Sequence, residues 1–168
     1  MATEVAKVIA DIIQTELGLA DGYVMLKNEK WIMPNNQGLY VAVYYQGPEK
    51  VISTANTVQT INSVVSEVQE VTMLHLIQID ALSYDDSART RKEEIIMALG
   101  SIYSRQQQAE NNMQIARQTE PLMPVESLEA TARLKRFTTV ISVTALHSKT
   151  KTAAYYDTFQ TPEVYPDV

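Results

Sequence analysis

The 168-residue chain has no cysteine, so it can form no disulfide, no zinc–thiolate site and no thiol nucleophile. That composition fits a reducing compartment. Glycine is scarce, with five in all, and neither Gly-x-Gly-x-x-Gly nor a phosphate-loop pattern occurs. A Gly-x-Ser-x-Gly nucleophile elbow is also missing. Basic residues are outnumbered by acidic ones, 14 to 20, for a net charge of −6. That balance argues against a chain whose main work is coating nucleic acid, which needs a basic footprint. No apolar run reaches the roughly 20 residues of a membrane span. The start, Met1-Ala-Thr-Glu-Val-Ala-Lys7, places an acid where a secretory signal needs an apolar run. The chain is therefore expected to be soluble and cytosolic when made.

Against these absences stands an ordinary apolar content of 45%. The length favours one domain over residues 1–168, with a core that needs no staples. The chain is organised around residues 71–108. Val71 to Asp80 alternates as a strand, with Met73, His75, Ile77 and Ile79 on one face and Leu74, Leu76, Gln78 and Asp80 on the other. Apolar groups on both faces predict a central position. Tyr84-Asp-Asp-Ser87 supplies turn chemistry and cap candidates. A long helix to about Gln108 follows, with Ala88, Ile95, Leu99, Ile102 and Tyr103 on one stripe.

Ahead of this unit, residues 3–17 form an amphipathic helix from Val5, Val8, Ile9, Ile12, Ile13 and Leu17, with Thr3 as cap and Gly18 as stop. Leu39–Tyr45 reads as a strand, closed by Gln46-Gly-Pro48. Residues 49–70 are rich in β-branched and small polar groups and predict a hairpin arm. The arm either faces solvent or packs on another subunit, since long exposed edges are usually covered. Beyond the helix, Met113–Arg117 predicts a short strand, Glu120–Val125 an irregular extended segment, and Ser127–Thr131 a helical turn. Arg133–His147 is the second strong strand, with Phe137, Thr139, Ile141, Val143 and Ala145 on one face. Ser148–Thr150 reads as a turn, Lys151–Phe159 as a returning strand, and residues 160–168, with two prolines, as an extended tail. The fold class expected is α+β, a mainly antiparallel sheet with two helices packed on one face plus an extended β-hairpin.

Chemistry-bearing clusters are sparse. His75 and His147 fall on strands that can be neighbours, and a metal would need Asp80 or Asp157 as a third ligand. The plainer reading is a pair of structural or exposed histidines. Asp85-Asp86 can hold a cation, but acids just before a helix more often cap it and answer its dipole. Arg89, Arg91 and Lys92 read as a solvated helix face beside Glu93 and Glu94. Arg133, Lys135 and Arg136 read as a basic cluster suited to an acidic neighbour. No catalytic residue and no cofactor is predicted.

Gln78-Ile-Asp-Ala-Leu-Ser-Tyr-Asp-Asp-Ser-Ala88 with its following helix resembles the strand–turn–helix of bacteriophage tail-terminator and neck proteins. The helix before it and the strand opened by Arg136-Phe-Thr-Thr-Val-Ile-Ser-Val143 are similar to that family in order, across residues 3–147. The resemblance implies a virion subunit that assembles into a ring, usually a hexamer, made in the host cytoplasm and placed at the tail–neck junction. The ring would cap the tail tube, end tail polymerisation and join the tail to the head–tail connector, touching the sheath in contractile tails. Genomic DNA would pass through its lumen without specific binding. The interface residues this implies are Val51, Ser53, Val58, Ile61, Val64 and Val68 on the arm, with Arg133, Lys135 and Arg136. The alternatives are another head–tail connector, such as a stopper or tail-completion subunit, and a small metal-dependent hydrolase using His75, His147 and Asp80.

Overall fold

The computed structural model describes residues 4–26, 36, 38–61, 64–118, 120–125 and 134–152. The fold is α+β, with three helices and a mostly antiparallel, mixed sheet of seven strands among the described residues. Helix α1 (Val5–Leu17) forms because its apolar residues recur at helical spacing, and Ile9, Ile12 and Ile13 are fully buried. Burial of each such side chain is worth about 1.5–3 kcal/mol. The helix stops at Gly18, whose φ of 60° is the left-handed conformation that glycine takes without strain. There the Leu19 N–H bonds to the Gln14 carbonyl at 3.0 Å and the Gly18 N–H to that of Thr15 at 3.3 Å. Glu4 holds the N-cap position without a side-chain bond, and Thr3 lies outside the described residues.

The strands are β1 (Val24–Leu26), β2 (Tyr40–Tyr45), β3 (Lys50–Ile61), β4 (Val64–Ser83), β5 (Met113–Ile115), β6 (Met123–Pro124) and β7 (Lys135–Thr152). Their order is β1-β2-β4-β7-β5, with β3 also on β4 and β6 on β7. Among the described strands only β1 and β2 pair in parallel. Across the middle of the sheet, Val43, Ile79 and Thr139 form one row, and Tyr45, Ile77 and Ile141 the next. Together with Val41, Ala81, Val143 and Met113 these face the helices and make the core. Two-residue alternation sends their neighbours, Tyr44, Gln78, Asp80, Thr138 and Val140 among them, to the opposite, open face.

Three features differ from the expectation. The single helix to Gln108 is two, α2 (Ser87–Leu99) and α3 (Ile102–Glu110). The chain breaks at Gly100 and restarts at Ser101, whose Oγ accepts the Ser104 N–H at 2.9 Å. The apolar spacing continues through the break and conceals it, yet Ile102 is 76% exposed. Ser101→Ala is expected to cost about 1 kcal/mol, read as a lowered urea midpoint. Second, β4 is one strand of 20 residues that merges the second half of the expected 49–70 arm with the central strand. No glycine or proline interrupts residues 64–83, so nothing terminates it. Third, Ser148–Thr150 is not a turn. β7 runs on to Thr152, and its last residue pairs with Ser66. The prolonged edge of β4 gives these Ser, Lys and Thr residues a partner that they lack in isolation. The extended segment 120–125 does carry a short strand, β6, beside Phe137 and Thr138. Residues 127–131, 153–159 and the tail 160–168 lie outside the described residues.

Candidate functional site

Beyond the helices the sheet narrows to a ribbon of three strands, β3, the first half of β4, and the end of β7. Its registers run Thr57–Val68–Thr150 and Val58–Glu67–Lys151 across the three. The face on the helix side carries Asn56 and Val58 on β3, Glu67 and Gln69 on β4, and Lys149 and Lys151 on β7. Here Lys151 Nζ lies 2.8 Å from Glu67, while the amides of Asn56 and Gln69 donate to the same carboxylate. The Lys151 bond first, then those amides, hold the Glu67 carboxyl down at about 2. The sign is that of a carboxylate depressed on folding. Its stabilisation is complete above its ordinary value near 4.5 and is lost as pH falls through about 2. The Glu67 side-chain resonance is therefore expected to titrate near 2 in the native protein, and Lys151→Ala to move that midpoint upward.

The opposite face of the ribbon is nearly free of charge. Ser53, Ala55, Thr57 and Gln59 on β3 lie beside Ser66, Val68, Glu70 and Thr72 on β4, with Ser148, Thr150 and Thr152 on β7. Glu70 is the single charged group among them. β3 is the outer strand, and every residue from Val51 to Thr60 is exposed. Val51, Ile52 and Val58 are the large apolar residues there, Val58 at 69%. A bulge at Ile52 shifts the register between Val51 and Ser53. From Val51 to Ile61 the strand contains no charged residue and no proline, the two common devices that blunt a free edge.

At the base of the ribbon His75, 3% exposed, packs against the rings of Tyr45 and His147. Its Nδ1 is 3.1 Å from Glu49 Oε1, close but out of line for a hydrogen bond. Asp80 stands five residues from His75 and so on the other face of the same strand. The three residues considered as a metal set do not converge, Asp157 lies outside the described residues, and no metal-ligating trio occurs among the described residues.

Asp80 instead anchors a network on the open face. Its side chain accepts from Arg136 Nη2 at 2.7 Å, from the Tyr44 hydroxyl at 2.9 Å and from Gln78 Nε2 at 2.9 Å. Gln78 also donates to Thr138 Oγ1. Desolvation, and then the bond to Asp80, push the Tyr44 phenol up to about 12, so it is a neutral donor. The sequence signal for this network is Gln78-x-Asp80 and Arg136-x-Thr138, polar pairs of matching parity on two neighbouring strands.

The other predicted residues fall into place singly. Asp85 is the acid that serves the α2 N-terminus, accepting from the Ser87 N–H at 2.8 Å and the Ser87 hydroxyl at 2.9 Å. Those bonds lower its carboxyl below the ordinary value. Asp86 pairs with Lys135. Arg91 makes a forked bond to Glu94, and Lys92 pairs with Glu93. Of the expected interface residues, Val51 and Val58 occupy one face of the ribbon and Ser53 and Val68 the other, while Ile61 pairs with Val64 at its far end. Arg133 lies outside the described residues. No helix among the described residues is long and apolar enough to cross a membrane. No protein-family model matches the chain, and no curated protein shows significant similarity to it.

Proposed function

We propose that the protein is a structural virion subunit that forms a ring, capping the tail tube of a bacteriophage, ending tail polymerisation and joining the tail to the head. The observation that carries this reading is the long edge strand β3, exposed at every residue from 51 to 60 and without charge or proline along residues 51–61. Such an edge is an aggregation hazard unless another chain covers it, and an arm projecting from a compact core is a means of reaching a neighbour. The resemblance of residues 78–88 and 136–143 to tail-terminator and neck proteins supplies the setting. In this reading the work is steric and adhesive, and the partners are other copies of the chain, the tail tube protein, the head–tail connector and, in contractile tails, the sheath. The ribbon face that carries Glu70 as its single charge and the net charge of −6 suit a conduit through which DNA passes without being gripped. The finer architecture belongs to the same reading, with the helices on the outer side of the sheet and the 49–70 arm as the intersubunit element.

Light scattering across a concentration series, with negative-stain imaging of the same samples, tests it. The expected result is a closed ring, either alone or on addition of purified tail tubes. A chain that stays monomeric throughout and ignores tail tubes overturns the reading.

A further inference from the structure

Resting on the ring reading, we propose that the ring closes by strand addition, the outer edge of β3 in one copy pairing in parallel with the outer edge of β7, residues 147–152, in the next. The ribbon has two free edges. Among the described residues β3 pairs only with β4. On the other side β5 pairs with β7 at Val143–Ala145, and the Leu146 N–H bonds to Asn112 O. Beyond Leu146 no strand among the described residues pairs with the outer edge of β7. Among the described residues, both edges therefore present backbone donors and acceptors with no strand partner at the same level of one ribbon.

Direction then decides the kind of contact. β3 and β7 are each antiparallel to β4, so they run the same way. Copies related by rotation about a common axis bring β7 of one against β3 of the next in parallel, without inverting either. Such a head-to-tail contact consumes both edges of every copy and leaves none once the ring closes. Pairing of β3 with β3 of a second copy, by contrast, leaves every β7 edge open. Charge agrees with the first arrangement, since β7 brings Lys149 and Lys151 to its edge and β3 brings no cation between Val51 and Ile61 to repel them.

Because the chain has no cysteine, introduced thiols report the contact without background. Thr57→Cys is combined in turn with Ser148→Cys, Thr150→Cys and Thr152→Cys, which sample successive registers on one face. Within a chain the two positions lie two strand spacings apart, about 10 Å, beyond the roughly 7 Å that a disulfide can bridge. Mild oxidation of the assembled full-length protein is expected to give, for one of the three pairs, a covalent ladder extending past the dimer. Native hydrogen exchange on the unaltered protein is the second readout, with amides of both β3 and residues 147–152 slowed at least tenfold in the ring relative to the monomer. Dimers formed by Thr57→Cys alone would mean β3–β3 pairing and overturn the proposal. Rings that form without any ladder and without new protection overturn the strand addition but leave the ring reading standing. A chain that assembles under no condition removes both.

Discussion

Arg136→Ala is expected to lower stability by about 3 kcal/mol, a fall in melting temperature of roughly 6–12 °C for a chain of this size. The Asp80 side chain is 6% exposed, and its shortest bond is the one from Arg136, at 2.7 Å. Removing the guanidinium leaves a charge in a site that water barely reaches, with only the Tyr44 hydroxyl and the Gln78 amide to answer it. Breaking a buried pair on one side usually costs 3–5 kcal/mol. The low end applies because two neutral donors remain and because a third of the Arg136 side chain faces solvent. Arg136→Met combined with Asp80→Asn should cost less than the sum of the two single changes, since no orphaned charge survives. Comparisons belong at one protein concentration, because assembly adds to the apparent stability. An Arg136→Ala protein as stable as the parent would mean that solvent, not Arg136, holds the Asp80 charge.

This network was the least legible part of the molecule, and the reason is physical. Strand alternation groups Met73, His75, Ile77 and Ile79 on one face of their strand, and Phe137, Thr139, Ile141 and Val143 on one face of theirs, because a buried face imposes a period of two on the sequence. Alternation says which face a residue occupies but not which strands are neighbours. The pairing of Asp80 with Thr138 that brings Arg136 into reach is a fact of register. Where no core lies beneath the strand the period fades. Residues 64–70, Val-Val-Ser-Glu-Val-Gln-Glu, show little of it, and the continuity of β4 was lost there for that reason. The more dependable sign was negative, the lack of any glycine or proline between Val64 and Ser83. The helix break failed in the opposite way. Ala88, Ile95 and Leu99 keep their stripe to the end of α2, and Ile102 happens to continue the spacing although it points to solvent. Only Gly100-Ser101, a stop followed by a cap, marked the restart.

Thr57→Lys together with Gln59→Lys is expected to abolish assembly while leaving the subunit folded. Both side chains are exposed on the outer strand, and surface changes of this kind usually move stability by less than about 0.5 kcal/mol each. In the separated subunit the new charges sit in water. In a strand-paired contact they lie on the ribbon face where Glu70 is the single charge, within a few ångströms of the incoming strand, and lose part of their hydration. A loss of at least about 2 kcal/mol per contact is the expected size, which weakens each contact some 30-fold. A ring needs every contact, so the loss multiplies around the circle. Lysines are also a common natural device for keeping edge strands apart, so the substitution restores the protection that β3 lacks. The measurement pairs thermal unfolding with light scattering. An unchanged melting curve beside a monomeric mass is the expected result. Rings that persist with both lysines in place would show that β3 is not where the copies meet, and an unfolded variant would show that the outer strand belongs to the core's stability and not to assembly.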